Sequence, residues 1–167
     1  MSSKAQSTRY KFLNDPNALF TETSDLPSAI AASRNILGAK PANPAGTTST
    51  TPVMMGLAIS FTPLYSGRVK IIIAGEASNN TAGDGFIIYA AYGTGAAPAN
   101  GAAATGTTVG NNISGASAAA NALLPFSIVG VVTGLTVGTA IWIDLELGAV
   151  TGGTASLSNL SIIVEEF

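Results

Sequence analysis

The strongest candidates for chemistry in this sequence are two acidic residues, Asp144 and Glu146, in the segment IWIDLEL. They stand two positions apart, so in a strand both carboxylates would lie on one face. Neighbouring carboxylates can bind a cation or act as an acid/base pair. A solvated polar face explains the same alternation more simply, and we favour that interpretation. We also interpret Glu165 and Glu166 as a solubilising edge rather than a site.

The composition excludes most other catalytic chemistry. The sequence contains no His and no Cys, which rules out Ser-His and Cys-His mechanisms, zinc sites built on these ligands, and disulfides. The glycines near residues 83–95 are not followed by the GK[ST] sequence of a phosphate-binding loop. We therefore predict no catalytic residue, no cofactor and no metal site, and a protein that is not an enzyme.

Three aromatic residues, Trp142, Tyr89 and Tyr92, have side chains able to stack on sugars or bases. Each lies in an apolar segment of the sequence. We therefore predict that they belong to the core or to an interface between subunits.

These residues must be positioned by strands, which the sequence predicts from Pro52 onward. In RVKIIIAG, three apolar residues at alternate positions, Val69, Ile71 and Ile73, share one face of a strand. The preceding run MMGLAISF is predicted to be its neighbour. The segment FIIYAAYG is continuously apolar, which indicates a strand buried on both faces.

Further strands are predicted towards the C-terminus. In IWIDLEL the apolar and polar positions alternate, and the preceding GLTVG is predicted to connect strands across a sandwich edge. The final segment SLSNLSIIVEEF places Leu160, Ile162 and Val164 inward. At least six strands with short turns predict an all-β fold, an antiparallel β-sandwich of the jelly-roll type. Residues 93–122, rich in Gly, Ala and Asn, are predicted to form a long loop with one short strand near TTVG.

The first 51 residues differ in composition from the rest. Residues 1–40 carry five basic and three acidic residues, and AKPANPAGTTSTTP follows as a Pro- and Thr-rich stretch. We predict a docking arm and linker over residues 1–51, with a short helix through SAIAASRNIL, and a β-domain over residues 52–167. The arm residues chosen as docking candidates are Arg9, Tyr10, Lys11, Phe12 and Phe20.

Charge and hydropathy restrict the partners. The net charge is −2, and only 10% of residues are charged, so no basic patch for nucleic acid is expected. No apolar segment is long enough to span a bilayer as a helix, and the N-terminus lacks the apolar run of a signal peptide. A surface with so few charges favours burial against other subunits.

The segments SGRVKIIIAG, YGTGAAPANG and GLTVGTAIWIDLELGAVTGGTASLSNLSIIVEE, which together span most of residues 52–166, resemble a group of tailed-bacteriophage virion proteins. The resemblance implies a trimeric jelly-roll domain like those of capsid decoration proteins, head fibres and fibre tips, similar in outline to the tumour-necrosis-factor and complement-C1q (TNF/C1q-like) shape.

The resulting functional expectation is a non-enzymatic virion protein, made in the host cytoplasm. We expect a homotrimeric capsid decoration (cement) or head-fibre protein that docks through its arm on the major capsid protein or another virion protein. The alternative is a fibre tip that binds a host receptor or glycan.

Overall fold

A computed structural model describes residues 35–167, which form one compact unit, Asn35–Phe167. This part of the chain contains strands and no helix, and hence no helix able to cross a membrane. The strands are β1 (Ile36–Ala39), β2 (Val53–Met54), β3 (Ile59–Phe61), β4 (Val69–Asn79), β5 (Gly85–Thr94), β6 (Thr107–Ala116), β7 (Leu124–Val132), β8 (Ile141–Ala149) and β9 (Ala155–Glu166).

The strands form two antiparallel sheets, as predicted. The first sheet has the order β1-β9-β4-β7, and the second has the order β2-β8-β5-β6, with β3 also pairing with β8. If β3 is left out, the order in which the chain passes from one sheet to the other is that of a jelly roll. The connection before β8 joins the two sheets, which confirms the prediction for GLTVG.

The core lies between the sheets and follows the predicted period of two. Val69, Ile71 and Ile73 of β4 are buried, and so are Leu160, Ile162 and Val164 of β9. From the second sheet, β8 contributes its alternate apolar residues, Ile141, Ile143, Leu145 and Leu147. Side chains at alternate positions of a strand point to one face, so these residues of the two sheets meet in the interior.

Glycines allow the two sheets to approach each other along the side formed by β6 and β7. A Cβ at Gly130 would lie 2.4 Å from Cγ1 of Val109 and 2.8 Å from the backbone nitrogen of Gly110. A Cβ at Gly110 would lie 2.6 Å from the carbonyl oxygen of Val129. This contact closes one side of the sandwich.

The sandwich begins earlier in the chain than the predicted boundary at residue 51. Strand β1 pairs with β9 from Ile36↔Glu165 to Ala39↔Ile162. Thr47 and Ala155 exchange two backbone hydrogen bonds of 2.9 Å. The Pro- and Thr-rich stretch has few side chains that could anchor it, but its backbone groups pair with the sheets. Of the predicted helix, residues 28–34 lie outside the described residues, and Ile36 and Leu37 belong to β1.

Two other predictions differ from the structure. MMGLAISF is not the neighbour of β4, because β3 pairs with β8 in the opposite sheet. The stretch 93–122 contains the ten-residue strand β6, paired with β5. The strand predicted near TTVG is the start of β6, and the rest of β6 was hidden by its composition, since most of its residues are exposed Thr, Asn, Ser or Gly and only Val109 is fully buried.

Because the sandwich starts at Asn35, truncation before and after this residue should affect its stability differently. Deleting residues 1–34 should leave the melting temperature of the sandwich unchanged, because every strand within the described residues 35–167 remains. Deleting residues 1–45 removes β1 and leaves the edge of β9 unpaired, which should cost about 2–4 kcal/mol of unfolding free energy. Urea unfolding of both variants measures the difference. Equal stabilities would show that β1 adds nothing to the sheet.

Candidate functional site: buried carboxylates and an exposed sheet face

Asp144 lies on the outer face of the second sheet, yet it is fully buried. One carboxylate oxygen accepts a hydrogen bond from the backbone N–H of Gly56 at 2.9 Å. The other accepts from Leu57 at 3.0 Å and from Leu145 at 2.8 Å. The predicted solvated face is therefore wrong for Asp144, because the segment after β2 folds over it. Its carboxylate fastens that segment to β8.

The pair Asp144 and Glu146 is poorly suited to acid/base catalysis. Burial raises the pKa of Asp144, against the opposing effect of its three backbone donors. Burial and the charge of Asp144 raise the pKa of Glu146. A substrate could not reach Asp144, whose oxygens are already taken by backbone N–H groups. Within residues 35–167 there is no group of three or more acidic side chains placed to hold a metal ion.

Glu166, the last residue of β9, carries the second buried carboxylate. This carboxylate is surrounded by the β3–β4 loop. Four consecutive backbone N–H groups of the β3–β4 loop, those of Leu64, Tyr65, Ser66 and Gly67, donate to its two oxygens at 2.6–3.2 Å. Successive N–H groups that converge in this way form a concave anion-binding nest. The side-chain amide of Asn35 also donates, at 3.3 Å. The predicted solubilising edge is thus wrong for Glu166, because β9 lies between β1 and β4 and is not an edge.

The nest determines the ionisation of Glu166. Burial acts to raise the pKa of this carboxyl, but the N–H groups of Leu64, Ser66, Tyr65 and Gly67 outweigh it and lower the pKa from 4.5 to about 2. The carboxylate is therefore charged over the whole physiological range. It serves as a structural anchor, since it ties the C-terminal strand to the β3–β4 loop.

Asp84 connects two turns at the end of the sandwich opposite to Glu166. Its carboxylate accepts hydrogen bonds from the backbone N–H of Thr151 at 3.0 Å, from the Thr151 hydroxyl at 2.8 Å and from the N–H of Gly85 at 2.7 Å. The pKa of Asp84 is lowered, chiefly by the backbone N–H of Thr151. This carboxylate joins the β4–β5 and β8–β9 turns and borders an open cavity of ≈ 320 Å³.

The three aromatic candidates do not form one platform. Trp142 is 6% exposed and packs in a small cluster with Met54 and Ala91. Its indole N–H donates to the carbonyl of Thr94 at 3.2 Å. Tyr92 packs against the main core. Tyr89 lies on the opposite face of β5, beside Glu146.

A larger open cavity, of ≈ 380 Å³, lies between the segment 41–45, the segment 55–57 and Asn100. Its lining carries no charged side chain. The docking candidates of the arm, Arg9, Tyr10, Lys11, Phe12 and Phe20, lie outside the described residues.

The outer face of the first sheet is the most extended exposed apolar feature of the described chain. Antiparallel register aligns Gly38, Ile163, Ile72 and Val129 in one row across the four strands. The adjacent row contains Ile36, Glu165, Lys70 and Val131. We call the surface made by these two rows the open face.

The exposure of the open face is unusual for β-branched apolar residues. Val129 and Val131 are 56% and 57% exposed, and Ile36 is 53% exposed. Ile163 is 43% exposed although it lies in an interior strand of the sheet. This surface was not predicted from the sequence, although one signal was available. Runs such as KIIIAG, SIVGVV and LSIIVEE are apolar on both faces, whereas apolar and polar residues should alternate in a strand with one solvated face.

No protein-family model matches the chain, and no curated protein matches it. Among solved structures, a chain of infectious bursal disease virus, Gx strain, aligns with a TM-score of 0.50 and 12% identity, covering 79% of this chain and 32% of that one. The VP2 subviral particle of the same virus aligns with a TM-score of 0.47 and 14% identity, covering 79% and 32%. The Eiger TNF of S. frugiperda aligns at 0.33 and 8% identity, covering 79% and 85%.

The chain is thus similar in fold to part of a chain of this virus. This chain spans about a third of the viral chain that it resembles. At 12% identity the likeness concerns the fold alone.

Proposed function

We propose that this chain is a non-enzymatic structural protein of a virus particle, and more narrowly a homotrimeric capsid decoration or head-fibre protein of a tailed bacteriophage. The observations that carry the proposal are the jelly-roll order of the two sheets and the structural alignment of 79% of this chain with a chain of a virus structure. The resemblance of the β-domain segments to phage virion proteins supports the narrower assignment.

The chemistry of the buried acids supports a structural role. Asp144, Glu166 and Asp84 each accept hydrogen bonds from backbone N–H groups; Asp144 and Glu166 each fix a loop to a strand, and Asp84 joins two turns. A general acid or base must instead reach a proton on the substrate. The acidic residues most shielded from solvent therefore stabilise the sandwich, which suits a protein that must withstand mechanical and chemical stress outside the cell.

The N-terminal segment supplies the proposed attachment. Residues 1–34 carry Arg9 beside Tyr10 and Phe12, and Arg and aromatic residues are enriched in protein interfaces. We assign this segment to docking on the major capsid protein or another virion protein. The protein would be made in the host cytoplasm and act in the virion.

Particles that lack the native protein test this assignment. Full-length protein added to such particles should bind in many copies over the shell and raise the temperature at which the shell opens. The variant lacking residues 1–34 should remain folded but fail to bind. Quantitative mass spectrometry of washed particles gives the copy number, and differential scanning calorimetry gives the shell stability.

Three results would contradict parts of the proposal. Unchanged binding of the truncated variant would place the docking surface on the sandwich. A few copies at one vertex would indicate a head fibre rather than a decoration protein. Loss of host adsorption with no change in shell stability would indicate a receptor- or glycan-binding fibre tip.

A further inference from the structure

We infer that the open face of the first sheet is the surface through which copies of this chain meet in the trimer. The inference rests on the proposed function, since it assigns an interface to the proposed homotrimer. The face defined above combines four exposed β-branched residues with the single pair Lys70 and Glu165. Nothing in residues 35–167 covers it, and a contiguous apolar patch of this kind usually marks an interaction site.

The size of the face suits the centre of an interface. Strands about 4.8 Å apart and about 3.3 Å of rise per residue give the two rows of the open face, across four strands, an area on the order of 250 Å². A standard interface buries roughly 800 Å² per partner. The face therefore supplies about a third of that area, and apart from the Lys70–Glu165 pair it is apolar, as in the core of known interfaces.

The charges of the face favour a second copy as its occupant. Lys70 and Glu165 lie in the apolar rows and form a salt bridge of 2.9 Å with each other. The face is thus neutral and its charges are satisfied within one chain. A partner that offered unpaired charges opposite it would leave them desolvated. In a ring of three copies this face meets a different surface of the neighbouring copy, and that surface belongs to a chain with only 10% charged residues.

The side chains also lose little freedom on contact. Val and Ile have restricted χ1 angles in strands, and their neighbours on the sheet hold them further. Ordering them at an interface therefore costs less conformational entropy than ordering Lys, Gln or Met would. Of the apolar side chains exposed elsewhere, Leu64, Tyr65, Val137 and Val150 lie in loops and turns and form no comparable row.

The first test compares two double variants by analytical ultracentrifugation at micromolar concentration. V129K/V131K places two charges on the open face, whereas V137K/V150K places them on valines of similar exposure, 49% and 51%, away from it. We expect the wild type and V137K/V150K to sediment as trimers and V129K/V131K to sediment as a folded monomer. A trimer for all three would overturn the interface and leave the trimer intact. A monomeric wild type would overturn the proposed trimer as well.

A second test does not depend on the folding of the charged variant. The chain has no Cys, so V129C and V150C each carry one thiol. Maleimide should react with the thiol of V129C at least about tenfold more slowly than with that of V150C when the protein is assembled, and at similar rates after dissociation in mild urea. Equal rates in the assembled protein would overturn the inference. Slow reaction of V129C in a protein that sediments as a monomer would overturn it too, because something other than a second copy would then cover the face.

Discussion

A Glu166→Gln variant is expected to lose about 3 kcal/mol of unfolding free energy at neutral pH. The carboxylate accepts four backbone N–H groups from the β3–β4 loop. An amide has one oxygen and one NH₂ group, so at least one buried donor would lose its acceptor and face another donor. Urea unfolding at fixed protein concentration measures the loss, since stability depends on concentration in an oligomer.

Because of the same interaction, the free energy of unfolding should depend on pH. The pKa of Glu166 in the folded protein is about 2, below the ordinary value of 4.5. The unfolded state therefore binds the proton first as the pH falls. The stabilisation is complete above about pH 5 and is lost between there and pH 2, by roughly 3 kcal/mol for the shift in pKa. The variant should lack this part of the acid sensitivity, so the two stability curves should converge at low pH.

Glu76→Gln is the matched control. It makes the same chemical change at a carboxylate whose hydrogen-bond partner is the exposed amide of Asn159. We expect a loss below about 1 kcal/mol. Equal losses in the two variants would mean that the nest around Glu166 contributes no more than an ordinary surface contact.

The Glu166 interaction is also an example of a contact that could not be predicted from the sequence. Periodicity predicted the inward faces of β4, β8 and β9 because burial requires apolar residues at alternate positions. It did not predict the burial of Glu166 or Asp144, since their partners are backbone N–H groups, which every residue except Pro carries. The separation adds to the difficulty: Ser66 and Glu166 are 100 residues apart. For Glu166 the available signal was a polar residue at an inward position, in the series Leu160, Ile162, Val164 and Glu166.

Strand β1 illustrates a second limit. The segment that contains it begins with a plausible helix cap and a run of helix-forming residues, so local propensity favoured a helix. The β pairing of Ile36–Ala39 depends on β9, at the other end of the chain. Local preferences give way when tertiary pairing and the burial of Leu37 against the core stabilise the strand. For the same reason the open face became visible only when the register aligned residues of four distant strands.

The exclusion of a stacking platform rests on the enclosure of Trp142, which can be tested directly. A Trp142→Ala variant should lose about 3–5 kcal/mol of unfolding free energy, because a buried indole is removed and its cavity remains. Trp142→Phe, which keeps most of the volume and loses the hydrogen bond to Thr94, should lose less, about 1–2 kcal/mol. Since Trp142 is the only Trp, the fluorescence of the native protein should be blue-shifted and poorly quenched by acrylamide.

A substitution at Gly93 tests the enclosure of Trp142 more specifically. A Cβ there would lie 2.3 Å from Cζ2 and 2.7 Å from Cε2 of Trp142, and its three nearest neighbours all belong to that ring. Gly93→Ala should therefore cost about 3 kcal/mol in the wild type, by overpacking. In the Trp142→Ala background the obstacle is gone, and the same change should cost less than about 1 kcal/mol. The double-mutant cycle should thus show strong coupling, whereas additive losses would mean that the ring is not held against Gly93 and is free to turn towards a ligand.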